Sequence, residues 1–216
     1  MESKKVSKSV LKRLPGYLAY LKNMPENAPS HISATALANA LGMGEVQVRK
    51  DLAMVSDGGR PKIGYLREPL IDDIEQFLGY DNTTDAILIG AGKLGQALMA
   101  YKGFDEYGLN ILAAFDVAPK MEKTEEGKPI YNIARLPQFC RSHKVLMGII
   151  TVPAESAQQV ADQLIAGGIK AIWNFAPAHL DVPEGILVQY ENMATSLAVL
   201  SVHLQAQIKE EKEVKV

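Results

Sequence analysis

Ala86-Ile87-Leu88-Ile89-Gly90-Ala91-Gly92-Lys93-Leu94-Gly95 is the stretch whose reading decides the fold. Four apolar residues in a row, with β-branched Ile87 and Ile89, predict a strand buried in a parallel sheet. The chain then turns on Gly90 and Gly92, and Leu94-Gly95-Gln96-Ala97-Leu98-Met99 opens a helix. This is G-x-G-x-x-G in a strand–turn–helix setting. The first glycine permits the turn, the second lets a pyrophosphate approach the backbone, and the third lets helix and strand pack closely. Free N–H groups at the helix start face the anion. A tight turn holding no ligand is the plainer alternative. Against it stands a second strand, Asn110-Ile111-Leu112-Ala113-Ala114-Phe115, which ends in Asp116, 21 residues after Gly95. An acid at that place hydrogen-bonds a ribose diol and repels a 2′-phosphate, which favours NAD or NADH over the phosphorylated cofactor. The candidate cofactor residues are therefore Gly90, Ala91, Gly92, Lys93, Leu94, Gly95, Asp116 and the adjoining Val117.

With 216 residues the chain suits one large domain or two small ones. Its net charge of -2 hides an asymmetry: residues 1–70 carry 11 Lys and Arg against 6 Asp and Glu, and the remainder 12 against 19. The basic portion thus has a plausible polyanionic partner that the acidic portion lacks, where chance segregation of surface charge is the plainer alternative. No apolar stretch is long enough to span a bilayer, and the N-terminus has no apolar signal core. Cys140 is the single cysteine, so no internal disulfide forms, as suits a reducing cytoplasm. His31, His143, His179 and His203 are scattered without metal-site spacing, so no metal is expected.

From the start of the chain, residues 6–23 predict a helix with Val10, Leu14, Leu18 and Leu21 on one stripe and a break or kink at Pro15. Ser33 caps a short helix carrying Ala36, Leu37, Ala40 and Leu41; Leu41-Gly42-Met43-Gly44 turns; and residues 45–55 form the next helix, with Val48, Leu52 and Val55 inward. Two helices joined by a glycine turn, the second with a polar and basic outer face, predict a helix-turn-helix whose second helix enters a major groove. Gln47 and Arg49 suit base edges, and Lys50 suits phosphate. Asp57-Gly58-Gly59-Arg60-Pro61-Lys62, followed by Ile63-Gly64-Tyr65-Leu66, has the pattern of a wing that touches DNA backbone or minor groove through Arg60, Lys62 and Tyr65. A small helical bundle used for protein contacts is the alternative.

Residues 69–80 predict a connecting helix, and residues 117–128 a polar loop. Val145-Leu146-Met147-Gly148-Ile149-Ile150 is a third strand, ending at Thr151-Val152-Pro153-Ala154; a helix over 156–166 stops at Gly167-Gly168; and Lys170-Ala171-Ile172-Trp173 is a fourth strand, leading to Asn174-Phe175-Ala176-Pro177. Strands alternating with helices predict an α/β fold with a doubly wound parallel sheet. At the C-terminal end Met193, Leu197, Leu200, Leu204 and Ile208 recur at spacings of three and four. Such a stripe must bury itself, either on its own sheet or across a second subunit.

These residues together resemble the Rex family of redox-sensing transcriptional repressors, over roughly residues 6–204. Gln47-Val48-Arg49-Lys50-Asp51-Leu52 resembles the family's recognition helix, Gly64-Tyr65 the end of its wing, the glycine turn its nucleotide loop and Phe115-Asp116 its ribose-binding strand end. Thr151-Val152-Pro153-Ala154 and Trp173-Asn174-Phe175-Ala176-Pro177 are similar to two further signatures, which adds Thr151, Val152, Pro153, Asn174, Phe175, Ala176 and Pro177 to the cofactor residues. The resemblance implies a homodimer with an N-terminal winged helix-turn-helix, a Rossmann domain responsive to NADH and a C-terminal dimerisation helix exchanged between subunits. Family members bind double-stranded operator DNA when NAD⁺ dominates and leave when NADH rises. An Asp at the start of the C-terminal helix, alternating between an Arg and a Tyr, is the family's switch; Arg13 and Tyr101 stand at the partners' places here, but Asn192 replaces the Asp, and Ala118 replaces the Asp usual before Pro119.

The expected layout is a winged domain over 1–80, a nucleotide domain over 81–188 and a dimerisation helix and tail over 189–216. A small NAD-dependent oxidoreductase is one rival, although no Tyr-x-x-x-Lys pair, nucleophile elbow or His-Glu-x-x-His assembles a catalytic set, so no enzyme is expected. A coenzyme A-binding regulator is another, since similar turns hold coenzyme A.

Overall fold

The computed structural model describes residues 7–213; Val6, read into the first helix, and residues 214–216 of the charged tail lie outside the described residues. The chain divides into two compact units, Met1–Thr83 with Glu106–Gly108, and Thr84–Asp105 with Leu109–Val216.

In the first unit α1 (Lys8–Lys22), α2 (Ala34–Leu41), α3 (Glu45–Val55) and α4 (Arg67–Leu78) surround one apolar core. The expected break at Pro15 is absent: α1 runs unbroken through it. Proline there removes one hydrogen bond, to the Leu11 carbonyl, while burial of Leu14, Tyr17, Leu18 and Leu21 keeps the helix in place. The Ser33 hydroxyl accepts from the Ala36 N–H at 3.0 Å and starts α2, and Gly42, at φ +63°, ends it. Val48 and Leu52 of α3 are fully buried, as their spacing requires. A two-residue strand that the sequence did not reveal, β1 (His31–Ile32), pairs antiparallel with β2 (Tyr65–Leu66) to root the wing. Gly64 sits at φ +91°, where a Cβ would overlap the Ile32 carbonyl, so the root tolerates no side chain.

Buried among these helices lies a charge. Asp51 of α3, 3% exposed, accepts from Arg13 Nε at 2.8 Å and Nη2 at 2.9 Å, and from the Tyr17 hydroxyl at 2.8 Å. A buried carboxylate is tolerable only with such charge-assisted partners. It cross-braces α1 and α3 at one point.

The second unit is a six-stranded, wholly parallel sheet: β3 (Thr84–Ile89), β4 (Leu109–Asp116), β5 (Ile130–Asn132), β6 (Met147–Ile150), β7 (Ala171–Asn174) and β8 (Leu187–Tyr190), in the order β5-β4-β3-β6-β7-β8. That is the doubly wound dinucleotide-binding order, with its topological switch point between β3 and β6. Side chains of β3 alternate. Ile87 and Ile89 pack with α7 (Leu136–His143) and α8 (Ala154–Ala166), whereas Ala86 and Leu88 pack with α5 (Lys93–Ala100), which the single turn α6 (Gly103–Glu106) follows. Both faces are covered, which is why the strand reads as an unbroken apolar run. Edge strands β5 and β8 and helix α7 are too short or too mixed in pattern to be read from sequence. Residues 117–128 form the expected loop, closed on itself: Lys123 and Pro129 make a β-bridge, and the Thr124 N–H donates to the Lys128 carbonyl at 2.8 Å. Beyond β8, α9 (Met193–Glu213) exposes Met193, Leu197, Leu200, Leu204 and Ile208.

The Asp51 brace has a pH signature. Burial first, then the hydrogen bond to Asp51, pushes the Tyr17 phenol from 10.0 up to about 12. The neutral phenol is the form favoured by folding, so its stabilisation is complete below pH 10 and is lost as pH rises through about 12. Tyr17→Phe is expected to lower stability by about 1–2 kcal/mol near neutral pH. That gap between parent and variant should narrow between pH 10 and pH 12 in urea denaturation; a constant gap would refute the coupling.

Candidate functional site

The C-terminal ends of β3 and β6 meet at the glycine turn. Gly90 takes φ +103°, and its N–H donates to the Phe115 carbonyl at 2.8 Å. The Thr151 N–H donates to the Ile89 carbonyl at 2.9 Å, and its hydroxyl lies 2.7 Å from the Gly90 oxygen and 3.1 Å from that of Ile89. Gly95 is buried so close that a Cβ would overlap the Gly90 carbonyl, whereas a Cβ on Gly92 would meet nothing within 4 Å. The three glycines thus divide their roles: Gly90 makes the turn, Gly95 the close contact, and Gly92 leaves open space. Gly92 caps α5 without any side chain, so the first N–H groups of the helix remain for an anion.

Asp116 ends β4 beside the turn. One carboxylate oxygen accepts from the Ala91 N–H at 2.8 Å and the other from the Ala118 N–H at 2.9 Å. Both oxygens keep a lone pair for a further donor. Gln96 Nε2 donates to the Ala91 carbonyl at 2.8 Å and pins the turn from the other side. A cavity of about 370 Å³ opens here, lined by Gly90, Gly92, Asp116, Val117, Thr151, Val152 and Pro153. It also takes in Ile133, Ser156, Gln159, Val160 and Gln163, which the sequence reading missed. The four on α8 were legible in principle, since they lie one to three turns beyond the Thr151–Pro153 signature on one helix face. Polar groups at the turn and apolar walls from Val117, Ile133 and Val152 suit a nucleotide with a phosphate at one end and a flat base at the other.

Ala91, Lys93, Leu94 and Gly95 support this cavity without lining it. Asn174 turns inward. Its side chain is fully buried; Nδ2 donates to the carbonyls of Ala176 at 3.2 Å and Ala178 at 2.9 Å, and Oδ1 accepts from the Ala176 N–H at 3.0 Å. It shapes the strand-end loop, which takes both of its Nδ2 hydrogens and one Oδ1 lone pair. Ala176 is buried beside it, and Phe175, Ala176 and Pro177 together border a separate hollow of about 510 Å³ with Tyr190, Asn192 and Met193.

In the first unit the structure brings Arg49, Arg60 and Lys62 around one hollow of about 540 Å³, together with Ser33 and Thr35 at the start of α2. Arg49 is exposed and pairs with Glu45 one turn earlier; Gln47 and Lys50 are exposed beside it. Tyr65 also lines this hollow, although the residue is only 8% exposed: its ring packs over Gly59, where a Cβ would lie 2.7 Å from it. It holds the wing's root in the core.

The three switch residues have other ties here. Arg13 is bound to Asp51. Tyr101 ends α5, half-exposed, with its ring 4.9 Å from that of Phe104 in an edge contact. Asn192 Oδ1 accepts from the Thr195 N–H at 3.2 Å and caps α9, a role an Asp fills equally well. Among the described residues no group of His, Cys, Asp and Glu could hold a metal ion, and no helix is long and apolar enough to cross a membrane.

A family model described as "CoA binding domain" matches residues 81–178, and one described as "Putative DNA-binding protein N-terminus" matches residues 5–53. The redox-sensing transcriptional repressor Rex of Porphyromonas gingivalis is 41% identical over 197 residues, 91% of this chain and 90% of the relative. That of Bacteroides fragilis is 39% identical over 200 residues, 92% of this chain and 91% of the relative. The chain belongs to the Rex family. Among solved structures, the Rex-family repressor RSP in complex with β-NAD⁺ and operator DNA superposes with a TM-score of 0.87 at 33% identity, covering 97% of both chains. RSP in complex with β-NADH gives 0.84 at 32% identity, covering 97% of this chain and 99% of that one. The Rex resemblance read from the sequence therefore stands, together with its α/β fold class.

The glycine geometry separates two variants of this Rex-family turn. Gly95→Ala forces its methyl into the Gly90 carbonyl and is expected to cost the nucleotide unit about 3 kcal/mol or more. Gly92→Ala has room and should cost about 1 kcal/mol, the loss of a favourable helix cap. Thermal denaturation of the two variants checks the order, and equal losses would contradict it.

Proposed function

We propose that the chain is a redox-sensing repressor that binds operator DNA as a homodimer and releases it when NADH replaces NAD⁺. The observation that carries this is likeness over nearly the full chain to RSP, solved with both β-NAD⁺ and operator DNA. The cavity at the β3–β6 switch point receives the cofactor: the free N–H groups of Gly92 to Gly95 meet the pyrophosphate, Asp116 the ribose diol, and Val117, Val152 and Pro153 the base. Phe175 and Pro177 lie at the neighbouring strand end, on the side reached by the nicotinamide. DNA is read by Gln47 and Arg49, with Lys50, Arg60 and Lys62 on phosphates. Residues 1–80 act as the winged domain, 81–188 as the nucleotide domain and 189–216 as the dimerisation helix and tail. The exposed stripe of α9 supports the last assignment, because a free helix would leave a large apolar surface in water. The protein acts in the cytoplasm and turns over no substrate.

A second reading has one observation behind it, the coenzyme A model over residues 81–178. Asp116 weighs against it, since a carboxylate repels the phosphate on that cofactor's ribose.

Fluorescence anisotropy of a labelled operator, titrated with NADH, NAD⁺, NADPH and coenzyme A, tests the proposal. NADH should release DNA; NADPH and coenzyme A should act only at far higher concentration. Asp116→Ala should weaken NADH by about tenfold or more and narrow the preference over NADPH. Equal potency of NADH and NADPH on the parent would sink the cofactor assignment.

Removal of residues 191–216 should convert the protein to monomers or loose dimers that still bind NADH but lose cooperative operator binding. Light scattering of the truncated chain decides this, and a dimer that persists would place the interface elsewhere.

A further inference from the structure

The α8 wall of the cofactor cavity differs from its other walls. Of the lining residues Asp116 alone is charged, and Val117, Ile133 and Val152 face the helix with apolar side chains. From α8 itself come Ser156, Gln159 and Gln163, at spacings of three and four on one helix face. The neighbouring face, Ala157, Ala161 and Leu164, is buried in the core. Gln158 shows how this helix uses an amide for structure: its Nε2 donates to Asp162 Oδ1 at 2.8 Å and to the Asp181 carbonyl at 2.9 Å, and its Oε1 accepts from the Asp181 N–H at 2.8 Å. Gln159 and Gln163 have no such partners among the described residues; Gln163 is partly buried and Gln159 exposed. Helix α8 starts beside the glycine turn, and at 1.5 Å per residue these two amides stand about 8 and 14 Å along it from Ala154. An uncharged polar wall opposite apolar ones, set away from the anion-binding N–H groups, suits a flat neutral heterocycle whose edge both gives and takes hydrogen bonds.

We propose that Gln159 and Gln163 are specificity-determining residues that bond the N1–N6 edge of the cofactor's adenine. Asp116 holds the ribose beside the turn, and the adenine is joined to that ribose through N9. The edge farthest from N9 is the one that carries the N6 amino donor and the N1 acceptor, and it is the edge that extends toward α8. A primary amide has two N–H donors and a carbonyl acceptor and turns either toward a partner. The pair therefore answers the donor and the acceptor of that edge, whichever way each amide is set. Val117 and Val152 hold the faces of the ring. The inference rests on the cavity receiving NADH, as proposed above, and adds the residues that select its purine.

Calorimetry of the full chain tests this with two probes, NADH and the analogue of NADH whose adenine N1 and N6 are joined by an etheno bridge. The bridge takes away the N6 amino group and the free N1 while the ring stays flat and the rest of the dinucleotide is unchanged. Methionine keeps the length of glutamine without its amide. Gln159→Met and Gln163→Met should each weaken NADH by about five- to tenfold, the worth of one hydrogen bond. The etheno analogue lacks those bonds already in the parent, so each variant should weaken it by less than about twofold; the unequal loss measures the coupling between side chain and base edge. Thermal denaturation without cofactor should leave both variants level with the parent, because neither amide has a partner in the free chain. Equal weakening of NADH and the analogue would make the two residues a packing wall and overturn the inference. So would NADH binding unchanged in both variants, which would make them solvated surface. In either case the parent still binds NADH and the cofactor reading stands. If the parent binds neither dinucleotide, the cavity is not the cofactor site and both fail.

Discussion

The nucleotide unit depends on one close approach: Gly95 lies against the Gly90 carbonyl while the Thr151 hydroxyl bonds that same oxygen. Two βαβ halves of a doubly wound sheet diverge at their switch point, and something must hold the ends of β3 and β6 together there. Thr151 does so with its backbone N–H on Ile89 and its side chain on Gly90. Only hydrogen fits at Gly95, so α5 starts hard against the strand and aims its free N–H groups over the crevice. Asp116 and Gln96 then fix the turn from either side through the N–H and the carbonyl of Ala91. The cavity's shape follows from these contacts before any ligand is present.

The winged unit is organised around the opposite kind of element, a buried charge. Asp51 would be strongly destabilising alone; with Arg13 and Tyr17 it becomes a brace of fixed geometry. The hydrogen bond to Asp51 also raises the Arg13 pKa above its usual value, against the lowering effect of burial. Any alternative partner for Arg13 must compete with a carboxylate already holding two of its N–H groups. That competition bears on the switch implied by the family resemblance. The residue at 192 is an amide that caps its own helix, so it brings no charge with which to outbid Asp51.

The two units carry complementary chemistry. The first gathers Arg49, Arg60 and Lys62 around one hollow; the second offers a crevice of backbone N–H groups and a carboxylate. Coupling between two such sites is reciprocal. If NADH lowers the affinity for DNA, DNA lowers the affinity for NADH by the same factor.

What the sequence by itself determined was whatever rests on local rules. The glycine turn, the acid 21 residues beyond Gly95, the two-faced strand 86–89, the Ser33 cap and the inward Val48 and Leu52 follow from backbone geometry and periodicity. Tertiary structure alone decided the rest. Short edge strands β1, β5 and β8 are stabilised by their neighbours, so their own residues carry little pattern. Asp51 and Tyr17 lie 34 residues apart, and no spacing rule joins them; only the packing of α1 on α3 makes a charged residue interior. Nothing in the sequence shows that Asn174 bonds its own strand-end loop or that the Tyr65 ring packs over Gly59 at the wing's root; burial in the folded units decided both.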